Sequence, residues 1–294
     1  MHNIVDHEVC AVIVTYNATT ELLENIAAIR PQVSRLVVVD NGSRPEGIAL
    51  VESARAKFDC ELIRNDSNLG IAAALNIGVG HAMSHGYKHA IFFDQDSIVG
   101  DHKYVTSMLE VYNARNQSDR VAIVVPRYID RSSGAALPLS KTRDGRLLTS
   151  ITSGSLVPTH IFRTLGLHDE SLYMDYVDIE FSLRCRRAGY AIVEAPRAIL
   201  RHSLGQLTTH DLGRKAFSST NHDSSRRYYI TRNRLLLMGK YWRDWPWFIR
   251  ELRAFCFEFI KIVLVEQNKS DKLHNMVRGS VDAYKNRTGK RIAL

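Results

Sequence analysis

No run of about 18 apolar residues, the length a helix needs to cross a bilayer, occurs in the sequence, so no transmembrane helix is expected. The basic start and long apolar core of a secretory leader are also missing. The opening residues carry Asp6, and the apolar run at 9–14 is too short. A cytoplasmic protein is the expectation. Cysteine is sparse: Cys10, Cys60, Cys185 and Cys256 lie far apart and form no CxxC pair, so buried thiols are expected rather than disulfides or a zinc site. Glycine is absent from Thr15-Tyr16-Asn17-Ala18, where a Gly-rich phosphate loop would follow the first strand. Neither an internal repeat nor a low-complexity tract interrupts the chain.

What is present is an ordinary globular composition, with 294 residues, 45% hydrophobic and 24% charged, easily enough to bury a core. The net charge of +8 is unevenly spread. Residues 226–294 hold 16 Lys+Arg against 6 Asp+Glu, a local balance of +10 that leaves the remainder near −2. A basic tail on a near-neutral body points to an anionic partner, nucleic acid or acidic lipid, unless it is only a solvated face.

Strand-like apolar runs at residues 9–14, 36–39, 61–63, 90–93 and 121–125 alternate with helical spacing at 21–29, 48–57, 71–83 and 101–114. This βα alternation predicts an α/β fold with a mostly parallel sheet covered by helices on both faces, where ligands bind beyond the carboxyl ends of strands. Tyr16-Asn17, Asp40-Asn41 and Asp94-Gln95-Asp96 all fall at such ends. Residues 127–150 read as a loop, 151–202 as a second strand–helix–strand segment, and 201–223 as a polar candidate lid. From 226 onward the pattern is helical, with Trp242, Trp245 and Trp247 clustered ahead of 249–265.

Taken singly, the polar residues are ambiguous. Asp94 and Asp96 can share a divalent cation and a ribose hydroxyl, or merely cap a turn. Asp40 can accept the imide N–H of uracil or thymine, or hold its own turn. Asn68-Leu69-Gly70 opens a small-residue helix that can approach phosphate or simply pack tightly. Asp178 and Glu180 suit the start of a helix at 179–188 as cap and first-turn acid, and His202 after 198–200 suits a structural role.

Their order is more telling. Residues 12–17 (VIVTYN), 38–43 (VVDNGS), Asn68-Leu69-Gly70 with Asn76, 94–97 (DQDS), Ser153-Gly154-Ser155, 175–184 (DYVDIEFSLR) and His202 resemble the family 2 glycosyltransferases in order and spacing. Arg227-Tyr228-Tyr229 with Arg232-Asn233-Arg234 resembles the rhamnosyltransferase branch. The resemblance implies a GT-A fold over 1–225, with a nucleotide-binding half at 8–126, an acceptor half at 127–225, and a basic helical region at 226–294.

It also implies roles. Tyr16 would stack on the pyrimidine and Asp40 would bond it, with Asn17, Asn41, Asn68, Gly70, Asn76 and Gln95 shaping the donor site. Asp94 would meet ribose or metal, Asp96 would hold Mg²⁺ or Mn²⁺ against the diphosphate, and His202 would complete the metal site. Asp178 falls at the family's general base, with Asp175, Glu180 and Arg184 lining the acceptor pocket. The implied reaction is metal-dependent and inverting, from a nucleotide-sugar donor to a glycan or lipid-linked acceptor in cell-surface polysaccharide or O-antigen synthesis. The expected donor is dTDP-rhamnose, with UDP-galactofuranose as its alternative. A nucleotidyltransferase, or a non-enzymatic nucleic-acid or membrane-binding module, are the competing readings; nucleic acid is not the expected partner. The Trp-rich basic tail suits docking to an anionic membrane leaflet on the cytoplasmic side, or a core or homodimer contact.

Overall fold

The computed structural model describes residues 8–142, 144–202, 208–211, 216–219 and 221–292. The chain forms two compact units, one of Met1–Glu170 with Val177–His202, the other of Ser171–Tyr176 with Ser203–Leu294.

The first unit is built on an eight-stranded sheet. Its strands are β1 (Val9–Thr15), β2 (Arg35–Asp40), β3 (Glu61–Arg64), β4 (His89–Asp94), β5 (Ile98–Val99), β6 (Val121–Asp130), β7 (Leu156–Pro158) and β8 (Ala191–His202). The order is β3-β2-β1-β4-β7-β6-β8-β5. The first four are mutually parallel, β7 runs antiparallel to both β4 and β6, β6 and β8 are parallel, and β5 closes the edge antiparallel to β8. Every residue of β1 except Val14 is buried, as a strand covered on both faces requires. Between Pro126 and Arg127 the β6–β8 register skips, so that Ala195 and Ile199 of β8 face consecutive residues. Pro196 lies in the skipped stretch, where it owes the ladder no N–H.

Helices α1 (Glu21–Ile29), α2 (Pro45–Phe58), α3 (Ile71–Ser84), α4 (Tyr104–Asp119), α5 (Thr159–Leu165) and α6 (Val177–Arg187) complete this unit. The small residues of α3 serve close packing. A Cβ on Gly78 would sit 2.2 Å from Val12 Cγ1, so α3 lies against β1 nearer than any larger residue permits. Helix α6 stops before Gly189, whose φ of +83° reverses the chain into β8.

Three expectations change. The loop foreseen at 127–150 begins as strand, since β6 continues to Asp130. The helix foreseen at 101–114 starts at Tyr104 and runs to Asp119. Strand β5, of two residues, was not foreseen, and the strand expected to open 151–202 is the three-residue β7. Of the candidate lid, β9 (Thr208–Asp211) and β10 (Ala216–Ser219) pair antiparallel, while 203–207, 212–215 and 220 lie outside the described residues.

In the second unit, α7 (Ser224–Lys240) is capped by Asp223, which accepts from Arg226 N at 2.7 Å. Helices α8 (Trp245–Leu264) and α9 (Lys269–Tyr284) follow, and Gly279 lets α9 meet the α7 backbone at Tyr228 O. Trp247 is buried beside Tyr241, which removes it from the expected surface trio, whereas Trp242 and Trp245 are exposed.

The Arg-Tyr-Tyr and Arg-Asn-Arg stretch is interior, not surface. Asn233 is fully buried and its Nδ2 donates to the carbonyls of Leu172, Met174 and Asp175 at 3.0, 2.7 and 3.0 Å. Arg232 Nη2 donates to Leu172 O at 2.9 Å, and Arg226 Nη2 to Asp175 Oδ1 at 3.0 Å. These bonds hold a segment in which Tyr173, Asp175 and Tyr176 take φ of 65°, 54° and 66°. Each such conformation costs about 1–3 kcal/mol and persists only where its surroundings dictate it. Arg227 and Lys272 share buried Glu266 at 2.7 and 2.9 Å and Arg234 reaches Glu251 and Glu258, while Arg232 donates to backbone carbonyls and lies over the rings of Tyr228 and Tyr229.

Candidate active site

The parallel register levels the strand ends. Thr15 pairs with Asp40 and Val14 with Asp94, so the segments that leave β1, β2 and β4 emerge side by side. Asp40 is buried and accepts from Thr15 Oγ1 at 3.2 Å, from Ser43 N at 3.1 Å and from Ser43 Oγ. Ser43 Oγ also accepts from Asn17 N at 2.8 Å, and Asn17 Oδ1 accepts from Arg44 N at 2.9 Å. Asn17 has φ of +52°, a conformation Asn tolerates better than most residues. Asn41 ties the third loop in: its Nδ2 donates to Asn68 Oδ1 at 3.1 Å and Gly70 O at 3.3 Å, while its Oδ1 accepts from Asn65 Nδ2 and Leu69 N.

Tyr16 stands on this frame with 44% of its surface exposed, a ring available for stacking. Its backbone N–H donates to Gln95 Oε1 at 2.9 Å, which gives the central residue of Asp94-Gln95-Asp96 a clear task. Asn76 lies apart. Its buried amide donates to His168 O and Glu170 Oε1 and accepts from His168 N, tying α3 to the 168–170 segment.

Around the two aspartates the polar groups form a chain. Asp94 N donates to Ser153 Oγ at 3.0 Å, Ser153 Oγ meets Ser97 Oγ at 2.7 Å, and Ser97 Oγ meets His202 Nδ1 at 3.1 Å. Asn25 Nδ2 donates to Asp94 O at 2.8 Å, and Arg131 Nη1 to Asp96 O at 2.9 Å. Burial lowers the His202 pKa and Arg131 lowers it further, against the opposing charge of Asp96.

A neutral imidazole is the form that binds metals, and the tautomer donating Nδ1–H to Ser97 leaves Nε2 with its lone pair. Among the described residues no three His, Cys, Asp or Glu side chains gather as a complete ligand set, so Asp94, Asp96 and His202 do not close around an ion by themselves. The charge of Asp96 acts on His202, and a carboxylate oxygen and a neutral imidazole nitrogen are both donor types that a divalent cation accepts.

Asp178 is half-buried in the first turn of α6, and its Oδ1 accepts from Ile179 N at 2.8 Å. Tyr128 feels the charges of both Asp178 and Asp94. Burial raises the Tyr128 hydroxyl well above its usual pKa, and the charges of Asp178 and Asp94 both raise it further. That hydroxyl donates to Ser153 O at 2.9 Å. Two carboxylates from distant parts of the sequence thus act on one buried group.

Glu180 is buried and paired with Arg184 at 2.8 Å, and Arg184 also donates to Leu165 O and Leu167 O. These contacts knit α6 to the end of α5. Asp175 is engaged by Arg226, and burial nevertheless raises its pKa.

Sequence reasoning passed over Asn25, Tyr128 and Arg131. Asn25 carried a signal, as the polar residue on the buried stripe of α1 with Leu22, Ile26 and Ile29. Tyr128 and Arg131 had none, because β6 was expected to stop before them.

Comparison with known proteins agrees with this geometry. Residues 10–164, more than half of the chain, match the family described as Glycosyl transferase family 2. The dTDP-rhamnosyl transferase RfbF of Shigella flexneri is 28% identical, across 95% of this chain and 96% of its own. The mannosyltransferase PcManGT of Pyrobaculum calidifontis, solved with GDP-Man and Mn²⁺, superposes with a TM-score of 0.60 at 15% identity, covering 96% of this chain and 76% of that one. S. aureus TarS 1-349 with UDP-GlcNAc gives 0.59 at 13% identity, covering 94% of this chain and 81% of that one; of the longer TarS structure the chain spans 43%. From the level strand ends of β1, β2 and β4 to the family match that spans them, the findings converge: the chain belongs to the family 2 glycosyltransferases and has their GT-A fold.

Proposed function

We propose that this glycosyltransferase moves L-rhamnose from dTDP-rhamnose, with inversion at the anomeric carbon, to a glycan acceptor carried on lipid in cell-surface polysaccharide synthesis. The observation that carries the sugar is the match along nearly its whole length to a protein named as a dTDP-rhamnosyl transferase. In this reading Tyr16 stacks on thymine and Asp40, fixed by Thr15 and Ser43, accepts its imide N–H. The acceptor hydroxyl attacks C1 as the bond from C1 to the diphosphate oxygen breaks, and Asp178 takes the hydroxyl proton. One positioned carboxylate suffices for a single displacement. Asp96 and His202, with Asp94 beside them, would hold Mg²⁺ or Mn²⁺, whose charge stabilises the departing diphosphate. Glu180 and Arg184 are assigned to the fold by their mutual contacts, so the acceptor side of this reading rests on Asp178.

The test is a thermal-shift series on the full chain with dTDP-rhamnose, UDP-galactofuranose, UDP-GlcNAc and GDP-mannose, each with and without Mn²⁺. Saturation at about 100 times Kd stabilises by about 2.7 kcal/mol, readily visible as a raised Tm. The largest shift is expected with dTDP-rhamnose and Mn²⁺, and Asp96→Ala should lose its Mn²⁺-dependent part. A larger shift with UDP-galactofuranose would replace the donor. An unchanged Mn²⁺ effect in Asp96→Ala would remove that residue from the metal.

A further inference from the structure

Helix α8 turns its two sides to different company. Its acids face inward: Glu251 accepts from the Tyr176 hydroxyl at 2.7 Å and pairs with Arg234, and Glu258 pairs with Arg227 and Arg234. Trp247 and Ile262 are buried on the same side. The opposite side carries Trp245, Ile249, Leu252, Phe259, Ile260 and Val263, all exposed, with Trp245 at 58%. Their spacing of four, three, seven, one and three residues keeps them on one stripe of a helix. Arg253 is exposed at the edge of that stripe, and no acid of α8 is exposed.

A soluble surface rarely leaves so continuous an apolar stripe uncovered. The helix has 20 residues, and it spans roughly 30 Å. Among the described residues no helix is long and apolar enough to cross a membrane, so α8 has the character of a helix that lies in an interface rather than through it. Charge selects the occupant. A face that is apolar and basic, with every acid of its helix turned inward, complements an acyl boundary beneath anionic headgroups.

We infer that the outer face of α8 seats this protein on an anionic lipid surface, with the Trp245–Ile249–Leu252–Ile260 stripe in the acyl boundary and Arg253 at the headgroups. The inference goes beyond the proposed transfer reaction. It names the surface on which a lipid-borne acceptor would be met, and its test reads binding alone.

The test is flotation of the full-length protein with phosphatidylglycerol–phosphatidylcholine vesicles and with pure phosphatidylcholine vesicles, at low and high salt. Binding to the anionic vesicles, weakened by salt, is expected. Ile249→Glu with Ile260→Glu should reduce it at least tenfold, and Arg253→Glu should reduce it at low salt. Because these side chains are exposed, the melting temperature and the nucleotide-induced thermal shift should stay as in the wild type. Failure of the wild type to float with anionic vesicles would overturn the inference, whatever the donor results. So would equal flotation of the double variant, or a wild-type dimer that this variant converts to a monomer with no change in flotation.

Discussion

Asp178 Oδ1 accepts from the N–H of Ile179, and an Asn side chain offers an oxygen at the same place. Asp178→Asn therefore keeps the local backbone contact while it removes the carboxylate proposed as the base. The expected protein melts as the wild type does, binds donor unchanged, and transfers sugar about 10²–10⁴-fold more slowly. Turnover near the wild-type rate would take the proton-accepting role away from Asp178. At this scale the acids and amides at the strand ends were legible because an apolar run stops and a polar pair begins, as at Asp40-Asn41 and Asp94-Gln95. Their partners were not. Ser153 and His202 reach Asp94 and Ser97 across 59 and 105 positions of sequence, and no local pattern encodes a contact of that range.

The segment 171–176 shows how one element can be held by another. Asn233 on α7 supplies donors to three of its carbonyls. Asn233→Ala takes that donor from all three; Leu172 O keeps Arg232, while Met174 O and Asp175 O lose the bond, and each unsatisfied buried group costs about 1–3 kcal/mol. A loss of roughly 2–4 kcal/mol, read from urea unfolding, is the expected result. A loss under about 0.5 kcal/mol, the level of an ordinary surface change, would show that the three bonds are not what holds the segment. The motif around Asn233 was readable as a branch marker but not as an interior clamp, because a cluster of arginines reads as surface unless its acids are seen. Glu251, Glu258 and Glu266, which pair with Arg227 and Arg234, follow one to two helices' length later. Strands β1, β2 and β4 were legible for the opposite reason: each carries a short, continuous apolar run. Strand β5 pairs through two residues, too few to leave a period.

For the molecule as a whole, acid is the sensitive direction. Burial lowers His168 to about 3 and His89 to about 4, from a usual value of 6.5. Both stay neutral in the fold while the unfolded chain takes up their protons below pH 6.5, so stability is complete above that value and falls as pH drops toward 4. Each contributes a slope approaching 1.4 kcal/mol per pH unit. His168 lies among Phe92, Phe162 and Phe181, with neither ring nitrogen bonded among the described residues. His168→Leu should therefore flatten the fall in Tm between pH 6.5 and 4.5 by about half of that pair's share. Parallel curves for the two proteins would remove His168 from the acid response.

One more property belongs to this scale. The second unit takes six residues, Ser171–Tyr176, out of the middle of the first unit's sequence, and the strands of the first resume after them. No single cut divides such a chain into its two units. A fragment ended at residue 225 keeps the six residues but loses Asn233 and Arg232, while one begun at 203 keeps the clamp and loses what it grips. The two parts are therefore inherited as one. A homologue cannot exchange its C-terminal helices as a cassette without also exchanging the short segment around Asp175, and swaps that respect only the C-terminal boundary should yield proteins that misfold.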